Sequence, residues 1–186
     1  MSGDTPLWLD AFPADFEVAH ERTLRGMSKV KERVYYPGAS RDGGHDGAWL
    51  RINASTGRVW TGVFASDLLA GRLSLIASWP EPSTLFVSVG GGPYLVDTRD
   101  PDVWTRIDRP TVRRFDPHAD RGLALLLDDD RLSAYDAAGL AWESEHLGPA
   151  AEWLGRLDDE VHLRAGDLLH RVSLRHGSTL TESAPW

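Results

Sequence analysis

Three residues near the middle of the chain have the chemistry of a divalent-metal site. Asp116, His118 and Asp120 alternate in the sequence, and alternate residues of an extended strand lie on one face. Carboxylate and imidazole groups bind divalent ions, so this spacing suggests a small metal-dependent hydrolase. Pro117 and the polar residues that follow it favour a turn between strands instead. We keep the hydrolase as an alternative and predict no metal ligand.

Two other clusters look like binding loops. A calcium loop needs about six to eight oxygens at chosen spacings, and the adjacent carboxylates of Asp128, Asp129 and Asp130 do not supply that pattern. The glycines at 90–92 lack the lysine and the following helix of a phosphate-binding loop. Both clusters therefore predict tight turns.

Two further kinds of catalytic signature are missing from the sequence. The chain has no cysteine, which excludes disulfides, thiolate catalysis and cysteine-based metal sites. None of its seven histidines has the HExxH spacing. His170 stands in an apolar row, where we expect a core histidine with a satisfied hydrogen bond. We predict a protein that is not an enzyme and carries no cofactor.

The stretch Leu85–Ile107 recurs along the chain at a fixed interval. A similar pattern of strand, turn, strand, turn and strand begins 38 residues later at Leu123, and again at Val161. A period of this size predicts stacked units that bury their apolar faces against each other. The corresponding positions are Trp104, Trp142 and Leu180 in the last strand, and Ala77, Phe115 and Trp153 in the strand before each unit.

These units resemble the blades of a β-propeller. The matching segments in the second unit are Leu123–Leu127, Leu132–Tyr135 and Gly139–Trp142, and they are similar to a group of uncharacterised bacterial β-rich proteins. The resemblance implies no activity, and the Gly-His and Trp-Asp signatures of WD40 blades are absent. At ~40 residues per blade, the chain has room for about four blades.

The resemblance and the repeat together predict an all-β fold. We expect an antiparallel meander of about three to four blade-like four-stranded units, a small or partial β-propeller, in a single domain spanning residues 1–186. The repeats occupy 48–186, and 1–47 form an arm, a short helix and a loop. A closed ring, an open arc and one twisted meander all fit this pattern.

The N-terminal part is less regular than the repeats. Helical spacing of apolar residues predicts a helix over 13–28, and the alternative is an outer strand at Phe16–Ala19. Ala48–Asn53 and Arg58–Phe64 predict a hairpin, with Gly57 suited to the positive φ of its turn.

Charge distribution indicates the class of partner. The net charge is −8 and basic residues are dispersed, which argues against nucleic acid. No apolar run is long enough for a membrane helix, so we expect a cytoplasmic protein; its arginine-rich composition suggests a bacterial source. Basic residues exceed acidic ones at 21–41, and a glycine-rich loop follows at 38–47. We predict that these segments bind another protein or a second copy, as in a homodimer. The candidate interaction surface comprises Arg22, Arg25, Lys29, Lys31, Arg41, His45 and Asp46.

Tryptophan is abundant, with eight residues in the chain. Trp104, Trp142 and Trp153 occupy repeated positions, and we predict that they are core residues of the blades. The other five are candidates for exposed stacking surfaces, which keeps a carbohydrate or small-ligand binder as a further alternative.

Overall fold

The computed structural model describes residues 7–9, 12–20, 32–37, 39, 47–65, 74–89, 93–107 and 112–183. The chain divides into two compact units, residues 1–112 and 113–186. Within the described ranges the regular secondary structure is β-strand, apart from one 3₁₀ turn at Ala119–Arg121. None of the helical structure in these ranges is long and apolar enough to cross a membrane.

The first sheet, sheet 1, lies in the first unit and has the strand order β2-β4-β5-β3. β4 and β5 form the predicted antiparallel hairpin, and Gly57 in its turn has a φ of +82°. Strand β3 runs parallel to β5. The bounds are β2 (Phe16–His20), β3 (Arg33–Tyr35), β4 (Gly47–Ala54) and β5 (Val59–Ala65).

The predicted helix over 13–28 is wrong at residues 13–20, the part of it that the structure describes. Phe16–His20 form an edge strand that pairs antiparallel with β4, as the alternative held. Phe16 is buried, Glu17 is exposed and Val18 packs partly buried against the core. This alternation of buried and exposed side chains is typical of a strand with one buried face. Burial of that face decides the conformation, although the apolar residues also have helical spacing in the sequence. Residues 21–28 lie outside the described ranges.

Sheet 2 completes the first unit. Its strands β6 to β9 form an antiparallel meander, and β1 pairs parallel with β6 on the other side. Among the strands that the structure describes, β9 is therefore the last at one edge of this sheet. The bounds are β1 (Leu7–Leu9), β6 (Ser74–Ser78), β7 (Thr84–Val89), β8 (Tyr94–Asp97) and β9 (Trp104–Arg106).

The second unit contains two antiparallel four-stranded meanders, sheet 3 (β10 to β13) and sheet 4 (β14 to β17). Together with β6 to β9 they confirm the repeat of four-stranded units. The bounds are β10 (Arg114–His118), β11 (Leu123–Leu127), β12 (Leu132–Asp136), β13 (Gly139–Glu143), β14 (Glu152–Leu157), β15 (Glu160–Ala165), β16 (Leu168–Ser173) and β17 (Thr179–Ser183).

Each unit has its own apolar core. In sheet 3, the adjacent residues Leu125 and Leu126 point to opposite faces and both are buried. At the corresponding positions of sheet 4, Leu163 is buried and Arg164 is exposed. At these positions sheet 4 thus has one buried and one exposed face, whereas both faces of sheet 3 are buried.

Candidate functional site

The predicted interaction surface comprises seven residues. All of them lie outside the described residues, so the surface stays a prediction. They are Arg22, Arg25, Lys29, Lys31, Arg41, His45 and Asp46.

The alternative metal triplet is divided between two elements. Asp116 and His118 share one face of β10, whereas Asp120 is exposed in the 3₁₀ turn. The Oδ2 atom of Asp116 lies 3.2 Å from Nε of Arg156, and its Oδ1 atom lies 3.8 Å from Nη2 of Arg114. The Asp116 carboxylate therefore has two arginines as its ionic partners. Among the described residues, no group of three or more acidic or histidine side chains is arranged to hold a metal ion.

The other polar residues singled out by the sequence have structural roles. Asp128 is buried, and its Oδ1 atom accepts hydrogen bonds from the backbone N–H groups of Asp130 (3.0 Å) and Arg131 (2.7 Å). This arrangement confirms the predicted turn. His170 is also buried, with Nδ1 2.9 Å from Oγ1 of Thr181, as expected for a core histidine.

The repeated tryptophans do not share one environment. Trp142 and Trp153 pack partly buried against the core of the second unit. Trp104 is 39% exposed, so the prediction that it belongs to the core is wrong. Trp60 is one of the five tryptophans outside the repeated positions. It is fully buried, and its indole N–H donates to the carbonyl oxygen of Thr98 at 2.8 Å.

Trp104 lies over an aromatic cluster of the first unit. Its ring makes an edge contact with Tyr36 at 5.9 Å and a tilted contact with Tyr94 at 6.1 Å between centroids. The guanidinium of Arg106 lies 5.9 Å from the centroid of Tyr94. Val103, immediately before Trp104, is 57% exposed. Trp104 and Arg106 are therefore presented together on one face of the short strand β9, and the exposed Val103 precedes it.

The two tyrosines fix the position of this cluster. The hydroxyl of Tyr36 donates to the carbonyl oxygen of Pro101, and that of Tyr94 donates to the carbonyl oxygen of Pro37, both at 3.0 Å. The Tyr36 ring also stacks on Phe64 at 4.5 Å. Burial, and secondarily the negative charge of Asp102, raises the pKa of the Tyr36 hydroxyl. It therefore remains protonated and donates its hydrogen bond at physiological pH.

The turn between β8 and β9 is held from three sides. Thr98 donates through Oγ1 to the carbonyl oxygen of Ser83 at 2.8 Å, and its own carbonyl oxygen accepts the indole N–H of Trp60. Nη1 of Arg58 donates to the carbonyl oxygen of Arg99 at 3.0 Å. These contacts order the chain before β9, so a partner that binds the strand does not have to order it.

The acidic residues of this turn serve its geometry. Asp97 accepts the backbone N–H of Arg99 at 2.8 Å and pairs with its guanidinium at 3.1 Å. The hydrogen bond from the Arg99 side chain is the main reason that the pKa of Asp97 is lowered. The backbone N–H of Val103 donates to the carbonyl oxygen of Asp100 at 2.9 Å, which closes the turn.

The backbone of β9 faces outward at two residues. The N–H of Asp97 donates to the carbonyl oxygen of Val103 at 3.0 Å, and the N–H of Ile107 donates to that of Pro93 at 2.9 Å. Backbone groups of successive strand residues alternate in direction. Those of Trp104 and Arg106 therefore point away from β8, at the edge of the sheet.

Comparisons with known proteins assign no family to the chain. A scan against models of protein families matches none of them, and a search of curated proteins finds no match. The geometry of β9 therefore carries the functional argument. We call Val103 to Arg106 the β9 edge.

The β9 edge has two properties of protein-recognition surfaces. Tryptophan and arginine are enriched among residues that dominate binding energy. An open strand edge can also accept a strand from a partner, which supplies backbone hydrogen bonds. The sequence marked Trp104 as a repeated position, but it held no signal for what covers that position.

Proposed function

We propose that this chain is a non-enzymatic protein-binding module, built of β-propeller-like blades, that binds a partner at the β9 edge. The observation that carries the proposal is the exposure of Trp104 and Arg106 on an ordered edge strand. The basic residues Arg22, Arg25, Lys29, Lys31 and Arg41 stay a second predicted contact, and they lie outside the described residues.

Pairing at this edge combines two kinds of interaction. An added strand can exchange hydrogen bonds with the outward backbone groups of Trp104 and Arg106. The exposed part of the Trp104 ring adds apolar area that binding removes from water. Because Tyr36 and Tyr94 already position the ring, little side-chain entropy is lost on binding.

The proposal is tested by capture followed by titration. Wild-type chain, Trp104→Ala and Leu180→Ala serve as baits in a lysate of the source organism. Leu180 is the matched control, because it occupies the same repeat position and is 50% exposed. A partner of the β9 edge should be retained by wild type and Leu180→Ala and lost by Trp104→Ala.

The captured protein is then purified and titrated by calorimetry. We expect Trp104→Ala to weaken its binding by at least tenfold, since loss of a central tryptophan typically costs about 2 kcal/mol or more. The proposal fails if no protein is captured, or if every captured protein binds Trp104→Ala as tightly as wild type.

The exposure of Trp104 also favours a second candidate, a carbohydrate binder. An exposed indole face can stack on a sugar ring, and Asp102, Thr105 and Arg106 are exposed polar neighbours. To test this function, each glycan of a panel is titrated into the protein while intrinsic tryptophan fluorescence is measured, with Trp104→Ala as the control. Quenching that Trp104→Ala abolishes supports it, and no quenching across the panel excludes it for those glycans.

A further inference from the structure

We propose that the partner strand at the β9 edge is β9 of a second copy of this chain, related by a two-fold axis through Thr105. This inference rests on the proposed function and names the partner. In this arrangement sheet 2 of one copy continues into sheet 2 of the other as an antiparallel pair.

The direction of the backbone groups fits this symmetry. With Thr105 on the axis, Trp104 of one copy lies opposite Arg106 of the other. Both residues point their backbone groups outward, and a directly opposed pair of this kind exchanges both N–H···O=C bonds. The two-fold axis creates two such pairs and therefore four hydrogen bonds.

The side chains are complementary in the same register. Trp104 and Arg106 project from the same face of β9, and directly opposed side chains of an antiparallel pair are in contact. The Arg106 guanidinium already lies near the Tyr94 ring, on the side of the strand where the aromatic residues are. Each copy therefore offers an arginine to the indole of the other, which forms two cation–π contacts.

The corresponding edges of the other units lack this self-complementarity. In β17, Leu180 and Glu182 take the places of Trp104 and Arg106, and Glu182 is paired with Arg171 at 3.0 Å. After β13, Ser144 takes the place of Arg106, and its buried hydroxyl accepts the N–H of Leu132 at 3.0 Å. Among the three repeat units, the aromatic and the cation occur together at the β9 edge.

A charge-swap experiment tests this register. Sedimentation velocity measures the association state of wild type, Trp104→Arg, Arg106→Trp and a mixture of the two variants. Wild type should form dimers, and Trp104→Arg alone should dissociate by at least tenfold because two arginines would then face each other. The mixture should recover dimers, since each arginine again faces a tryptophan.

A cross-link tests the position of the axis. Residues opposed across the axis at Thr105 form a non-hydrogen-bonded pair with Cα atoms ~4.5 Å apart, which is within disulfide range. The chain has no cysteine of its own, so Thr105→Cys introduces a single thiol. On mild oxidation it should form a covalent dimer faster than Thr181→Cys, the control at the equivalent position of β17.

The outcomes separate this inference from the proposed function. Monomeric wild type at all concentrations, or dimers that both single variants retain, would overturn the second-copy inference. A partner captured through Trp104 would in that case still support protein binding at the β9 edge. Circular dichroism of each variant identifies loss of folding. If a variant fails to fold, Arg106→Pro provides the second test, because it removes an outward N–H and leaves the pairing to β8 in place. Retention of dimers by Arg106→Pro counts against the inference.

Discussion

Trp104 and Trp142 occupy the same position in consecutive repeat units but have different surroundings. Trp142 is covered by the turn after β16: its indole N–H donates to the carbonyl oxygen of Leu174 at 3.1 Å, and Gly177 lies against its ring. Trp104 contacts Tyr36 and Tyr94 and leaves 39% of its surface exposed. The repeat fixes where the tryptophan stands in its strand. What covers the ring decides how far it is buried, and we propose that the exposed Trp104 serves binding whereas Trp142 serves stability.

The largest expected effect comes from disturbing the cover of Trp142. A Cβ atom at Gly177 would lie 2.6 Å from Cε3 of Trp142, and the residue has a φ of +72°. We expect Gly177→Ala to lower the free energy of unfolding by about 3 kcal/mol, from backbone strain together with overpacking. Chemical denaturation measures the change.

Gly166→Ala is the matched control for this substitution. Gly166 also has a positive φ, of +58°, but nothing lies within 4 Å of its added Cβ. Its replacement should cost about 1 kcal/mol from backbone strain alone. Equal losses for the two variants would show that Gly177 does not act through Trp142.

A second prediction compares the two tryptophans directly. Trp142→Ala should lower the free energy of unfolding by about 2 kcal/mol, because a partly buried ring and its hydrogen bond are lost. Trp104→Ala should cost about half as much, because its ring is more exposed. Denaturation curves of both variants measure this difference. The reverse order would contradict the assignment of Trp142 to stability and Trp104 to binding.

The third and smallest effect concerns pH. His170 occupies the position of Leu132 in the preceding unit, and burial lowers its pKa in the folded state despite an opposing hydrogen bond to Leu147. In the unfolded chain the imidazole has an ordinary pKa of about 6.5. As the pH falls below this value, the unfolded chain takes up a proton more readily than the folded chain does, because the pKa of His170 is lower in the folded state. Stability contributed by the neutral ring is therefore present above that pH and is lost as the pH falls.

Denaturation between about pH 7.5 and 5.5 tests the histidine. The His170→Leu variant should lose less stability on acidification than wild type. The variant should keep the loss of stability that arises from His118. The pKa of His118 is lowered by burial and by the charges of Arg156 and Arg121. Parallel pH profiles of wild type and His170→Leu would exclude His170 as the source.

The repeated fold was predictable because the units carry strong local signals. The period of 38 residues locates the strands, and the turn residues between them confirm it. The hairpin at Gly57 follows from its requirement for a positive φ. The helix prediction failed because the spacing of Phe16 and Ala19 fits a helix, whereas pairing with β4 and burial of Phe16 decide the conformation.

The candidate site was less predictable, for a physical reason. Sequence alternation shows that Trp104 lies on the same side of its strand as Trp142 does. It does not show which distant segment packs over the Trp104 ring. The cover of Trp142 comes from Gly177 and Leu174, far along the chain. The sequence therefore indicated the position of Trp104 correctly and its burial wrongly.

Oxidative footprinting of the tryptophans tests the central claim most directly. The chain is oxidised briefly under dilute conditions, and mass spectrometry measures the rate at Trp104 and at Trp142 within the same sample. Because Trp104 is exposed and Trp142 is partly buried, we predict that Trp104 reacts faster than Trp142. At high protein concentration, Trp104 should become protected and Trp142 should not change. Equal rates at the two residues, or faster oxidation of Trp142, would contradict an exposed recognition strand at β9.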